Sequence, residues 1–189
     1  MSSKILFINA CVRPESRTLR LARRILGKLD GDIEEVRLND DPVPALNNAA
    51  LEQRTADVQA GRFDTPTMRY ARQFSLADTV VIAAPYWDLS FPALLKSYIE
   101  AINVSGVTFY YGEDGMPHSL CRAKQLIYVA TCGGPYIPGF GFDYIKALAN
   151  FFYGIEDVRL FKAENLDIIG ADVEGILAAA EEEIDRNMG

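Results

Sequence analysis

Three short stretches of this chain combine residue types that could hold and position a small ligand. The first runs from Ala10 to Thr18 into the start of a helical pattern. Free backbone N–H groups and the helix dipole favour a phosphate at such a point, and Arg13, Ser16, Arg17 and Thr18 add charge and hydroxyl donors. The loop has neither the Walker phosphate-loop pattern nor the GxGxxG of dinucleotide sites, and a capped helix with surface arginines would use the same residues. The second stretch, Pro85 to Ser90, sets Tyr86 and Trp87 beside the charge of Asp88, with Pro85 stiffening its start. It suits a flat aromatic ligand lying against backbone, although aromatic content alone would equally describe a crossover whose rings fill core. In the third, Thr131, Cys132, Gly133, Gly134, Pro135 and Tyr136, paired glycines allow a ligand to approach the main chain closely. Alone, they mean only a loop.

Each stretch follows a run with the composition of a buried strand. Thr79 to Ala83 is continuously apolar and β-branched, as expected of a strand covered on both faces, and Lys4 to Asn9 and Gln125 to Thr131 read alike. Ile33 to Leu38 alternates apolar and charged residues as an edge strand would, and Asp157 to Ala163 is the last strand. Helices separate them. Leu19, Ala22, Leu26 and Leu29 form one inward stripe, ending near Gly31; a further helix spans about Thr65 to Ala77. Phe91, Leu94, Leu95, Tyr98, Ile99 and Ile102 form a long helix capped by Ser90, with Pro92 in its first turn and Gly106 at its end. Tyr144, Ile145, Leu148, Phe151 and Phe152 mark another, stopped at Gly154, and Val173 to Ile184 closes the chain. Between Asn39 and Asp64 the pattern lapses, with Pro42, Pro44 and Gly61 interrupting it, so an insertion with one short helix near Asn48 to Ala60 is expected there. Val107 to Tyr111, followed by Gly112 to Gly115, reads as an extended aromatic arm with a tight turn.

Five strands alternating with helices imply an α/β fold, a doubly wound parallel sheet with helices on both faces, and the flavodoxin-like order 2-1-3-4-5 follows for five strands. In that order the three stretches end the first, third and fourth strands, which are neighbours at the switch point, so one ligand could touch all three. A phosphate at the first loop and a flat ring system at the second read as a flavin.

The bulk properties agree with one domain over 1–189 that carries the insertion at 39–64. With 26 acidic against 19 basic residues the net charge is −7, which disfavours nucleic acid and anionic membranes as partners. Met1 to Lys4 passes straight into Ile5 to Ile8, unlike a signal peptide, and no stretch approaches membrane-spanning length, so a cytoplasmic protein is expected. Three widely spaced cysteines and one histidine give no disulfide framework and no metal centre. His118 reads as a solvated loop residue, Cys132 as a small buried one, and Glu181 to Glu183 as the wet face of the last helix.

From Lys4 to the last helix the chain resembles the FMN-dependent NAD(P)H:quinone oxidoreductase and azoreductase family of flavodoxin-like proteins. The resemblance rests on the Arg13 to Thr18 loop, the AAPYWDLSFPALLKSYIE segment, the GVTFYY arm and the TCGG turn. It implies that Arg13, Ser16 and Thr18, with Arg17 beside them, hold the FMN phosphate. Pro85, Tyr86, Trp87, Asp88 and Leu89 would line the isoalloxazine, while Thr131, Cys132, Gly133 and Gly134 would approach its pyrimidine edge. Tyr136 and Trp87 would line the substrate pocket. The resemblance further implies a homodimer with each flavin near the interface, NADH or NADPH as donor, and a planar aromatic acceptor reduced by ping-pong hydride transfer, with no obligatory catalytic side chain. The chain departs from the family in having Asp88 where Asn is common, Cys132 where a polar or basic residue is common, and Asn9, Ala10 and Cys11 where a serine usually begins the loop. Two rivals share the fold: a flavodoxin-type single-electron carrier, whose T-G-x-T character the first loop lacks, and a non-catalytic FMN-binding protein. A phospho-acceptor signalling domain would need acidic residues where Arg13 and Pro85 stand.

Overall fold

The β-branched run at Thr79–Ala83 forms the middle of the sheet in the computed structural model, which describes residues 2–189. In chain order the strands are β1 (Lys4–Asn9), β2 (Asp32–Arg37), β3 (Thr79–Ala83), β4 (Phe109–Tyr111), β5 (Pro117–Ser119), β6 (Gln125–Thr131) and β7 (Asp157–Ala163). Five of them form one parallel sheet in the order β2-β1-β3-β6-β7, while β4 and β5 pair separately as an antiparallel hairpin. With the hairpin set aside, this is the expected 2-1-3-4-5 order. Register runs straight across: Phe7 lies beside Val81, Val81 beside Ile127, and Ile127 beside Arg159.

The helices are α1 (Arg17–Leu26), α2 (Asn48–Gln59), α3 (Arg69–Ser75), α4 (Ala93–Ile102), α5 (Phe142–Phe151) and α6 (Val173–Asn187). Alternate residues of each central strand feed opposite cores. Ile5, Phe7, Val81, Ile127 and Val129 pack under α1 and α6, whereas Leu6, Ile8, Val80, Ile82 and Tyr128 pack under α3, α4 and α5. A third cluster of Met68, Ala71, Val104 and Val107, joined by Val58 and Phe63, seats α2 beside α4. The one buried carboxylate of α2, Asp57, accepts hydrogen bonds from Gln53, Arg62 and Thr65 and so fixes the turn that leaves this helix.

Several element ends differ from the sequence reading. α1 stops at Leu26, with Gly27 as its cap, rather than near Gly31. Gly31 instead lets the chain pass closely into β2, since a Cβ there would collide with the Ser3 carbonyl and press on Ile5. The segment after residue 65 is a single 3-10 turn, Pro66–Met68, followed by the shorter α3. Ser90 does not cap α4; that helix begins after Pro92 without a side-chain cap, and Ser90 instead closes a backbone turn with Trp87. α4 ends at Ile102 rather than Gly106, where the fully buried Thr108 hydroxyl bonds the Ile102 carbonyl at 2.8 Å. The aromatic arm is half of a hairpin, with His118 on β5 stacked on Tyr110 rather than in a free turn.

Candidate active site

Backbone hydrogen bonds carry the sheet beyond its strands and bring the three loops together. The Ala10 N–H donates to the Ala83 carbonyl (2.9 Å), the Tyr86 N–H to Thr131 (3.0 Å) and the Cys132 N–H to Ala163 (2.8 Å). The loops enclose a cleft of about 710 Å³ at the carboxyl ends of the strands. A larger groove of about 940 Å³ along β2 and α3 lies away from those ends.

At the first loop, Ser16 caps α1 by accepting from the Leu19 N–H at 3.3 Å. The N–H groups of Arg17 and Thr18 have no backbone partner among the described residues and point out of the helix start. Thr18 is fully buried, and its hydroxyl meets that of Thr131 at 2.5 Å, so one contact braces the first loop against the third. Arg13 stands exposed at the rim.

The middle turn is tighter than its sequence suggests. The Trp87 N–H donates to Ser90 O (3.0 Å) and the Ser90 N–H to Trp87 O (2.8 Å), with Asp88 at φ 51° and Leu89 at φ 64°. Two successive left-handed residues closed by reciprocal bonds make a two-residue turn that normally takes Asn-Gly. The turn leaves the Asp88 and Leu89 N–H groups without backbone partners and keeps Trp87 and Leu89 exposed. Leu89→Gly is expected to stabilise the protein by about 0.5–1 kcal/mol, the left-handed strain relieved less the entropy glycine costs. A calorimetric melt below that of the wild type would show that the turn holds no such strain.

In the third loop the carbonyls of Cys132, Gly133 and Gly134 accept from Leu166, Asp167 and Asn165 at 3.1, 2.9 and 3.0 Å. That pairing leaves the Gly133 and Gly134 N–H groups free. Burial pushes the Cys11 and Cys132 thiols up to about 11, so neither supplies a thiolate at neutral pH.

Of the residues singled out in the sequence, Arg13, Ser16, Arg17 and Thr18, Pro85 to Asp88, and Thr131 to Gly133 line the cleft. Leu89, Gly134 and Tyr136 stand outside its lining. Leu89 points outward on the turn, and Gly134 lies just behind, pairing with Asn165. Tyr136 backs Tyr86, with ring centroids 4.9 Å apart. Its hydroxyl bonds the Phe140 carbonyl and its N–H donates to Glu164 at 2.7 Å. Lys162 and that N–H hold the Glu164 carboxyl below its ordinary value of 4.5. Because the folded value is the lower one, this contribution to stability is present above pH 4.5 and lost as the pH falls through the folded value. The melting-temperature advantage of wild type over Glu164→Gln is therefore expected to be level from about pH 6 to 8 and to shrink as the pH falls below 4.5.

Glu15, Leu166 and Asp167 also line the cleft and were not read from the sequence. The last two follow β7, and the rule that ligands sit at strand ends applies to this fifth strand as it does to the other three.

The flavodoxin-like fold family matches residues 3–188. An FMN-dependent NADH:quinone oxidoreductase 2 of Clostridium acetobutylicum is 37% identical over 93% of this chain and 92% of its own. An FMN-dependent NADH:quinone oxidoreductase of Coprothermobacter proteolyticus is 32% identical over 97% of both chains. Among solved structures, an azoreductase from Bacillus anthracis superposes with a TM-score of 0.83 at 25% identity, covering 98% of each chain. With its sheet order and its strand-end cleft, the chain thus belongs to the flavodoxin-like family that these FMN-dependent NADH:quinone oxidoreductases form.

Proposed function

We propose that the chain is a single FMN-binding domain over residues 1–189, with 39–64 an insertion, acting as an oxidoreductase between NAD(P)H and a planar aromatic acceptor. The observation that carries this reading is the convergence on one cleft of N–H groups with no backbone partner among the described residues: those of Arg17 and Thr18 at its phosphate end, and those of Asp88 and Gly133 where flat rings would lie. The names of the relatives support FMN as cofactor and NADH as donor. When bound, FMN would supply two-electron chemistry, allowing ping-pong hydride transfer between NADH or NADPH and a quinone, azo or nitroaromatic acceptor.

The protein's own part is positional. The α1 N-terminus with Arg13, Ser16 and Thr18 would hold the phosphate, and the Pro85 to Asp88 backbone would orient the ring system. The Gly133 N–H would donate to an oxygen of the pyrimidine edge. Trp87 would cover the face where donor and acceptor stack in turn. Trp87, Leu89, Ile137 and Phe140 are exposed, and the half-buried Tyr86 bonds the Ile137 carbonyl at 3.2 Å through its hydroxyl. This apolar surface and the family resemblance support a homodimer with each cleft near the interface. Among the described residues no helix is long and apolar enough to cross a membrane, and a cytoplasmic setting belongs to the same reading.

The test is a turnover assay on purified protein reconstituted with FMN: NADH and a benzoquinone are expected to be consumed one for one with no other protein present. Consumption only after adding a separate reductase would identify an electron carrier, and none in either case a non-catalytic binder.

A further inference from the structure

The cleft offers an anionic phosphate two guanidinium groups, Arg13 and Arg17, yet three carboxylates, Glu15, Asp88 and Asp167, line the same space. Acidic side chains therefore outnumber basic ones in the lining before any ligand enters. One guanidinium is also engaged: Arg17 Nη1 lies 2.7 Å from Asp167 Oδ1 and 3.4 Å from the Leu166 carbonyl, a contact that spans 150 residues of sequence. Asp167 is not a stray surface acid. Its N–H donates to the Gly133 carbonyl, the preceding N–H groups of Leu166 and Asn165 donate to Cys132 and Gly134, and Asn165 sits at φ 65° to make that run possible. A Cβ on Gly133 would collide with the Asp167 carboxylate, so the glycine leaves the room this side chain occupies.

We propose that Asp167 competes with the cofactor phosphate for Arg17, and thereby sets how strongly the cleft prefers a phosphorylated flavin over riboflavin. The proposal rests on the FMN reading of the cleft. A dianionic phosphate at the α1 N-terminus must draw the Arg17 guanidinium away from Asp167 and tolerate the carboxylate nearby, and both effects oppose binding. Riboflavin, with no phosphate, meets neither. Asp167 is thus a specificity residue that restrains FMN affinity rather than supplying it.

The full chain, freed of flavin by dialysis, is titrated with FMN and separately with riboflavin, following the quenching of flavin fluorescence. Asp167→Asn is expected to bind FMN about three- to tenfold more tightly, the range for losing one partly exposed ion pair and one repulsion, with riboflavin affinity changed less than about twofold. Asp167→Ser, which lacks the amide, is expected to do the same, so the outcome does not depend on one variant folding well. Unchanged FMN affinity would overturn the proposal. So would parallel weakening of both flavins, which would show the carboxylate accepting hydrogen bonds from the ribityl chain. A wild-type protein that binds neither flavin would remove the FMN reading itself, a result distinct from either.

Discussion

Thr18→Val is expected to weaken FMN binding by about 10- to 100-fold while leaving the fold intact. The substitution puts a methyl of similar size in place of the hydroxyl at a fully buried position. Two losses follow: Thr131 is left without its 2.5 Å partner, and on the proposed reading the phosphate loses a hydroxyl donor beside the α1 N-terminus. A hydrogen bond to a charged group contributes about 1.5–3 kcal/mol, which sets the range. Riboflavin should weaken less than FMN, since only the brace to Thr131 affects it, and Thr18→Ser should bind both flavins nearly as the wild type does. FMN affinity within about threefold of wild type would reduce Thr18 to a cross-brace between two loops.

Tyr98 carries the largest expected effect on stability, and it has opposite signs for two substitutions. The ring is fully buried under the sheet, edge-on to Tyr70 at 5.3 Å, and its hydroxyl has no hydrogen-bond partner among the described residues. Tyr98→Ala removes that ring from the main core and is expected to cost about 3–5 kcal/mol. Tyr98→Phe removes only an unpartnered polar atom and is expected to be neutral or to stabilise by about 1 kcal/mol. In thermal melts the alanine protein should unfold roughly 10 °C lower and the phenylalanine protein at or a few degrees above the wild type. A phenylalanine variant that melts well below wild type would mean that the hydroxyl has a partner, such as a buried water.

The sheet was legible because its strands are short apolar runs bounded by turn residues. Thr79–Ala83, Gln125–Thr131 and Asp157–Ala163 begin and end where their composition says they should. Helix ends were harder to read, since tertiary partners decide them. Gly106 resembles a stop signal, but α4 ends four residues earlier, where the buried Thr108 hydroxyl meets the Ile102 carbonyl. Ser90 resembles a cap, but the chain first makes the two-residue turn at Asp88 and Leu89, a conformation that local preference assigns to Asn and Gly. The cleft was legible as three loops because each pairs a strand end with unusual residues: arginines and hydroxyls, adjacent aromatics, or paired glycines. Asp167 was not, since an aspartate in a polar loop has no distinguishing pattern. Its place in the cleft comes from the pairing of residues 165–167 with residues 132–134, a contact over more than 30 residues of sequence.

The central claim is that the three strand-end loops form one flavin site that exchanges electrons directly with a reduced nicotinamide. The most direct test is the visible spectrum of the purified, FMN-supplemented chain before and after anaerobic addition of NADH. The account predicts a two-banded flavin spectrum that bleaches without a lasting one-electron intermediate. A protein that remains colourless after incubation with FMN and gel filtration would contradict the convergence of the loops on a flavin, and bound flavin that NADH leaves oxidised would contradict the oxidoreductase reading.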